Sequence, residues 1–385
     1  MNKTWQENIQ FFSQWLQQHV LPMWGTNGFD EDHGCFEETL NFQGEAVAVP
    51  RRAMVQCRQI YSFLKGAELG FYPEDLAKSK ASQSADLLLK IYRNDDGSFV
   101  HSALADGKVH DSTRDLYTQA FVLFGLAQVY KVNRKKEYKD AALSLVTYLN
   151  SQRKVKTGGY TEIEKNGDIT FKTNPHMHLF EGALAWLAID DDSTWKVLCD
   201  HIYMMTKTKF INPDLGVLGE YFDENWNSIK VEGRFIYEPG HQFEWAWLLA
   251  WYEELSGVSC RGLRQRLYTL AEEHGINPSN GTAYDELWSD FTPKLTSSRF
   301  WPQCERIKAA VKLGAEARGE EKEFYKKNAD NAVAVLMRFL QTPQQGFWYD
   351  QIKEDNTLEG SSSKASSLYH IINAIDEYMT YRPKL

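Results

Sequence analysis

His241 and Glu244 stand three residues apart in the stretch Arg234-Phe-Ile-Tyr-Glu-Pro-Gly-His-Gln-Phe-Glu-Trp-Ala-Trp-Leu-Leu-Ala250. Pro239 opens a helix here, because its fixed φ suits the first helical position and its missing N–H would be unpaired there anyway. The spacing then puts imidazole and carboxylate on one face near the first turn. Histidine titrates near neutral pH and can both take and return a proton. Such a pair at a helix N-terminus can move a proton beside a developing negative charge, which the helix end stabilises. A plain cap that satisfies the first amides would look the same, so the rest of the chain must decide.

Polar residues recur with the same placement along the chain. Arg58, Tyr117, His178, His241, Glu305 and His370 are separated by 59, 61, 63, 64 and 65 residues. Each lies early in an apolar-periodic segment, several behind start signals such as Asn174-Pro175, Glu238-Pro239 or Trp301-Pro302. His178-Leu-Phe-Glu181 anticipates the pattern His241-Gln-Phe-Glu244 one unit later. A second marker is a glycine, one residue, then an aromatic: Gly34-Cys-Phe36, Gly97-Ser-Phe99, Gly158-Gly-Tyr160, Gly219-Glu-Tyr221 and Gly346-Phe-Trp348, with a looser Gly281-Thr-Ala-Tyr284. The steps between these glycines are 63, 61, 61, 62 and 65 residues. Self-similarity at a fixed period is the mark of a repeat architecture.

The elements that must carry these residues are helices. Helical periodicity predicts segments near 4–22, 51–70, 75–93, 113–131, 136–152, 175–189, 194–208, 240–256, 259–274, 300–318, 322–341 and 363–381. Each repeat then holds two helices and a glycine-led turn, with room for a short β-hairpin such as the one around Asn166-Gly167. An open solenoid would need polar end repeats, yet the last helix carries Leu368, Tyr369, Ile371, Ile372 and Ile375. Closure into an all-α (α/α)6 barrel of six helix pairs is therefore expected, as one catalytic domain over 1–385. If alternate helices form the inner ring, their N-termini share one mouth and the six polar residues converge there.

Composition removes several function classes. Net charge is −9 and no basic stripe with interleaved aromatics is present, which argues against nucleic acid. No apolar run approaches the roughly 20 residues that span a bilayer, and Met1 to Glu7 lacks the apolar core of a signal peptide. Five scattered cysteines without Cys-x-x-Cys suit reduced thiols, so a cytoplasmic location is expected. No Walker or Gly-x-Gly-x-x-Gly motif offers a cradle for a cofactor, and none is expected. A metal site could draw on His176, His178, His241, Glu244 and His370. However, His-x-His on a helix points its rings roughly 200° apart, and the His-x-x-x-His of a helical zinc site is absent, so no metal is expected either.

Acid/base chemistry on a neutral polyol fits these residues best. Removing a proton next to a carbonyl gives an enediolate, which Arg58 and a ring of helix N-termini would stabilise. Aromatics such as Trp301, Phe347 and Trp348 offer apolar faces to sugar rings. A glycoside hydrolase built on Glu244 and Glu305 is the two-carboxylate alternative, but it leaves the histidines unexplained. A non-catalytic sugar-binding barrel is a further one, since fold does not fix function.

Arg58-Gln59, Asn174-Pro-His-Met-His178-Leu-Phe-Glu181, Glu238-Pro-Gly-His241-Gln-Phe-Glu244-Trp245, Trp301-Pro-Gln-Cys-Glu305 and Tyr369-His370 resemble the N-acylglucosamine 2-epimerase superfamily over nearly the whole chain. The Pro-Gly-His-x-x-Glu block and the terminal histidine are the most specific parts. The resemblance implies an (α/α)6 barrel with His241 and His370 as paired acid/base residues and Arg58 on the enediolate oxygen. It implies Tyr117, Asn174, His178, Glu244, Trp301 and Glu305 in substrate binding, with Arg234 as a further contact. The blocks look closer to the isomerase branch, so the expected reaction is D-mannose to D-fructose without metal or cofactor. A 2-epimerase on an N-acylglucosamine or cellobiose, or an isomerase of the anionic sugar sulfoquinovose, is the alternative. The partner is a small sugar, and monomer and homo-oligomer are both compatible with it.

Overall fold

The computed structural model describes residues 4–385. Helix α1 (Trp5–Trp15) runs on through a π turn, Leu16–Val20, into the helix Leu21–Thr26. It is followed by α2 (Ala53–Glu68), α3 (Glu74–Leu87), α4 (Leu116–Asn133), α5 (Lys136–Tyr148), α6 (Thr173–Leu187) and α7 (Ser193–Met205). The last five are α8 (Pro239–Ser256), α9 (Arg261–His274), α10 (Trp301–Glu316), α11 (Gly319–Phe339) and α12 (Leu368–Tyr381).

The even-numbered helices form an inner ring. Each packs against the next, and α12 packs back against α2, so the ring closes. The odd-numbered helices lie outside, α3 on α2, α5 on α4, α7 on α6, α9 on α8 and α11 on α10, while α1 covers α12. The closure is well sealed. Phe12 meets Tyr378 edge-on at 6.4 Å, and Trp24 stacks on Trp348 at 5.1 Å. Strand Ser362–Lys364 pairs antiparallel with Thr39–Asn41 across the same seam. This is the expected (α/α)6 barrel, and its apolar last helix is covered on both sides. Among the described residues the β structure is six small sheets of two or three short strands, none closed on itself, and each inner helix is entered from such a strand.

Burial separates the two rings. In α8 every residue from Pro239 to Ala250 is buried, as a helix surrounded by other helices must be. Outer α3 buries only the stripe Ala77, Lys80, Ala81, Ser84 and Ala85. Inner helices approach closely where a side chain is missing: a Cβ on Gly125 would lie 2.7 Å from the Cβ of Cys57, which fixes the α2–α4 spacing.

A latch repeats in register with the barrel. Gln56 accepts the Phe36 N–H and donates to the Phe36 carbonyl, both at 2.8 Å. Gln119 does the same for Phe99, Gln242 for Leu218 and Gln303 for Ala283. Each glutamine lies near the start of an inner helix and pins the glycine-led turn. The Gln242 latch corrects the expected repeat: Gly216, at φ 77°, is the turn glycine, and Leu218 stands where the first three units have an aromatic. Gly219, the expected one, does not take a positive φ.

In the third unit the latch is His176, whose Nε2 accepts the Tyr160 N–H at 2.9 Å while Nδ1–H donates to the Lys172 carbonyl at 2.8 Å. His176 is thereby taken out of any metal site, and burial lowers its pKa to about 4. Unfolded histidine binds a proton near pH 6.5, so this group's stabilisation is lost as pH falls from 6.5 towards 4, by up to about 3 kcal/mol. His176→Gln installs the residue used by the other latches. Thermal melts at pH 7 and pH 5 should show the wild type losing more on acidification than the variant.

Among the described residues no helix is long and apolar enough to cross a membrane. All five cysteines are buried and unpaired.

Candidate active site

The N-terminal turns of the inner helices bring Arg58, Tyr117, His178, His241, Glu305 and His370 into one continuous cluster. Arg58 donates to the Tyr117 hydroxyl at 2.7 Å and to the Ser366 carbonyl at 3.0 Å, and its guanidinium lies 4.2 Å from the Phe121 ring centroid. Its Nε–H has no acceptor among the described residues. The Tyr117 ring meets His178 edge-on at 5.1 Å. His178 bonds Glu181 at 3.1 Å and lies 3.9 Å from Glu244. Burial, reinforced by Arg58, holds His178 neutral.

Two histidines face the same indole. The Trp301 ring centroid is 5.0 Å from His241 and 5.7 Å from His370, with tilts of 32° and 36°. Gly240 makes this possible: a Cβ there would lie 2.5 Å from the Trp301 ring. The glycine of the Pro-Gly-His block is therefore a space requirement of the site.

The two imidazoles sit in opposite electrostatic surroundings. His241 Nδ1 is 2.9 Å from Glu220 and 3.8 Å from Glu238. Burial opposes its charged form, but Glu220 and Glu238 outweigh burial and raise its pKa to about 9. Arg299 in turn donates to Glu238 at 2.6 Å. His370 Nδ1 is 2.7 Å from Glu305. Burial dominates there and lowers its pKa to about 4. Glu305, despite burial, is held ionised at about 2 by Lys308 and the His370 hydrogen bond. Lys308 Nζ lies 2.7 Å from the other Glu305 oxygen, in ion-pair contact but without good hydrogen-bond alignment, and 3.9 Å from the Trp247 ring centroid. With Nδ1 engaged in both histidines, Nε2 is the nitrogen left for a ligand.

Buried acids complete the centre. Glu181 accepts the Tyr369 hydroxyl. Burial raises the pKa of Glu181, and burial together with Glu305 raises that of Glu244 well above the usual range. Among the described residues three groups, His178–Glu181–Glu244, Glu220–Glu238–His241 and Glu244–Glu305–His370, have ligand atoms within 4.8 Å of one another and could hold a divalent ion. In each of them, hydrogen bonds to the carboxylate already engage the histidine Nδ1, and Lys308 also occupies Glu305.

Asn174 stands with Tyr117 in the wall of a vestibule of about 310 Å³ beside the cluster, with its Oδ1 buried and unpaired. Arg234 stands apart: its guanidinium lies 4.7 Å from the Trp288 ring centroid and near Asp290 and Glu232. The sequence reading missed Glu220 and Lys308. Glu220 sits in the segment read as a repeat turn, and Lys308, three residues after Glu305, looks like half of a surface ion pair.

Residues 34–374 match the family model of N-acylglucosamine 2-epimerase (GlcNAc 2-epimerase). A protein of Rhizobium meliloti named mannose-6-phosphate isomerase is 35% identical over 369 residues, 94% of either chain. A cellobiose 2-epimerase of Eubacterium cellulosolvens is 23% identical, over 89% of this chain and 90% of its own. The crystal structure of a D-mannose isomerase superposes with a TM-score of 0.85 at 18% identity, covering 97% of both chains, which is a likeness of fold.

Proposed function

The chain belongs to the N-acylglucosamine 2-epimerase family and is an intramolecular isomerase or epimerase, and we propose that it is an aldose–ketose isomerase interconverting D-mannose and D-fructose through a cis-enediol. The observation that carries this reading is the opposed pair beside Trp301: His370 is neutral and His241 protonated at neutral pH. Environments that push two titratable groups apart assign base and acid.

His370 Nε2 takes the proton from C2 of the open-chain aldose while His241 gives a proton to O1, forming the enediol. His241 then takes the proton from O2 and His370 returns its own to C1, giving the ketose. The Nε–H of Arg58 is the donor for the negative charge that develops on the sugar oxygens during each transfer, and Tyr117, Asn174, His178, Glu244 and Trp301 hold the sugar. The whole chain serves as one catalytic unit. Chemistry without a metal is supported by the hydrogen bonds and the ammonium that already occupy the carboxylates. A reducing, cytoplasmic setting is supported by five free thiols.

The name of the Rhizobium relative supports a second reading, mannose 6-phosphate as substrate. Apart from Arg58 inside the cluster, the cations Arg52, Arg299 and Lys172 at this mouth are already paired with Glu38, Glu238 and Glu164, which favours the uncharged sugar. EDTA-treated protein assayed on D-mannose, D-mannose 6-phosphate, N-acetylglucosamine and cellobiose separates these readings. Fructose from mannose at an undiminished rate is expected. Turnover confined to the phosphate ester, or only a C2 epimer as product, contradicts the proposal.

The acid's environment makes its own prediction. Carboxylates favour charged His241, so Glu220→Gln must lower its pKa, and the acid form then disappears at lower pH. The alkaline limb of the kcat/KM profile should move down from about 9 by about one unit or more, with the acid limb unmoved.

A further inference from the structure

A cavity of about 880 Å³ opens at the far end of the barrel, among the C-terminal halves of all six inner helices. Leu64, Gln128, Ala185, Trp251, Lys312 and Glu377 represent the six in its wall. Small-molecule sites span roughly 300–1,000 Å³, so the room suffices for a ligand. The rings of Trp247 and Trp251 lie 5.5 Å apart at 46°, forming an angled aromatic wall. Two buried atoms of the lining, Trp247 Nε1 and Glu377 Oε2, have no hydrogen-bond partner. They are neighbours, but out of bonding geometry with each other. Either group can turn to a ligand that enters the cavity.

The charges narrow the ligand class. Six helix C-termini bring partial negative charge to this end. The lysines are already paired, Lys65 with Asp376 at 3.0 Å, Lys131 with Glu68 at 3.1 Å and Lys312 with Glu254 at 2.7 Å. An anion would find no free cation. Burial raises Glu377 to about 7, so it both donates and accepts near neutrality and is a poor fixed anion for a cation. Aromatic faces beside mixed donors and acceptors, with the amides of Gln128 and Asn373 added, suit a ring with an apolar face and a hydroxylated edge.

We propose that this cavity is a second binding site, for a neutral saccharide, independent of the chemistry at the histidine mouth. Glu181 forms part of the partition, lining the cavity while bonding Tyr369. Methyl α-D-glucopyranoside is a suitable probe, because a glycoside cannot open its ring and is not turned over as an aldose. The full chain is titrated calorimetrically, alongside Trp251→Ala, Glu377→Leu and His370→Asn, with thermal melts as a folding control. Saturable binding is expected in the wild type and in His370→Asn, weakened at least about tenfold in both lining variants. Binding that ignores both lining substitutions, or no saturable binding to the wild type, overturns the proposal.

Discussion

Replacing His370 with asparagine is expected to lower the rate of mannose isomerisation by about a hundred- to ten-thousand-fold, the usual contribution of a positioned acid or base. The site explains why no neighbour takes over. Glu305 is held ionised at about 2 and lies on the Nδ1 side of His370, so it is a weak base pointed at the histidine. Burial raises Glu181 and Glu244, and their oxygens are turned to His178 and Tyr369, while His241 is already protonated near neutral pH. Asparagine keeps a donor for Glu305, so the fold should survive. Exchange of the C2 proton with solvent, followed by NMR on folded protein, should fall in parallel with turnover. A variant that exchanges at the wild-type rate would assign the base elsewhere.

Arg58→Met should cost about a hundred- to a thousand-fold, the range for losing a preorganised donor to a developing oxyanion. The negative charge develops only in the transition states of the two transfers, so the loss should fall on kcat, with KM changed little. Methionine retains contact with Phe121 but leaves the Tyr117 hydroxyl and the Ser366 carbonyl without their donor, at a stability cost of about 1–3 kcal/mol. A steady-state assay below the variant's melting temperature keeps the two effects apart. A rise in KM at constant kcat would reduce Arg58 to ground-state binding.

Much of this arrangement was readable in the sequence, because a closed helical ring turns a chain period into spatial convergence. Residues some 60 apart, from Arg58 to His370, meet at one mouth as the period implied. The last apolar helix foretold the seam with α1. What escaped notice depends on partners far along the chain or on local irregularity. Glu220 bonds His241 from 21 residues upstream, inside a loop whose glycine seemed to be the repeat marker. The true turn glycine is Gly216, and only the Gln242 latch reveals the register. The π turns closing α1, α3, α5 and α7 break helical periodicity by one residue each, below what a pattern of apolar positions can detect. Lys308 carries no sequence sign of burial, since a lysine three residues from a glutamate is the ordinary pattern of a solvated helix face.

The central claim is that His370 moves a proton between C2 and C1 while His241 serves the oxygens. Conversion of D-mannose in D2O, followed by NMR on EDTA-treated protein, tests it most directly. The account predicts fructose carrying solvent deuterium at C1 and residual mannose gaining deuterium at C2, both lost together in His370→Asn. Fructose that keeps the original C2 hydrogen at C1 and forms at an undiminished rate in His370→Asn would mean a hydride shift and would contradict it.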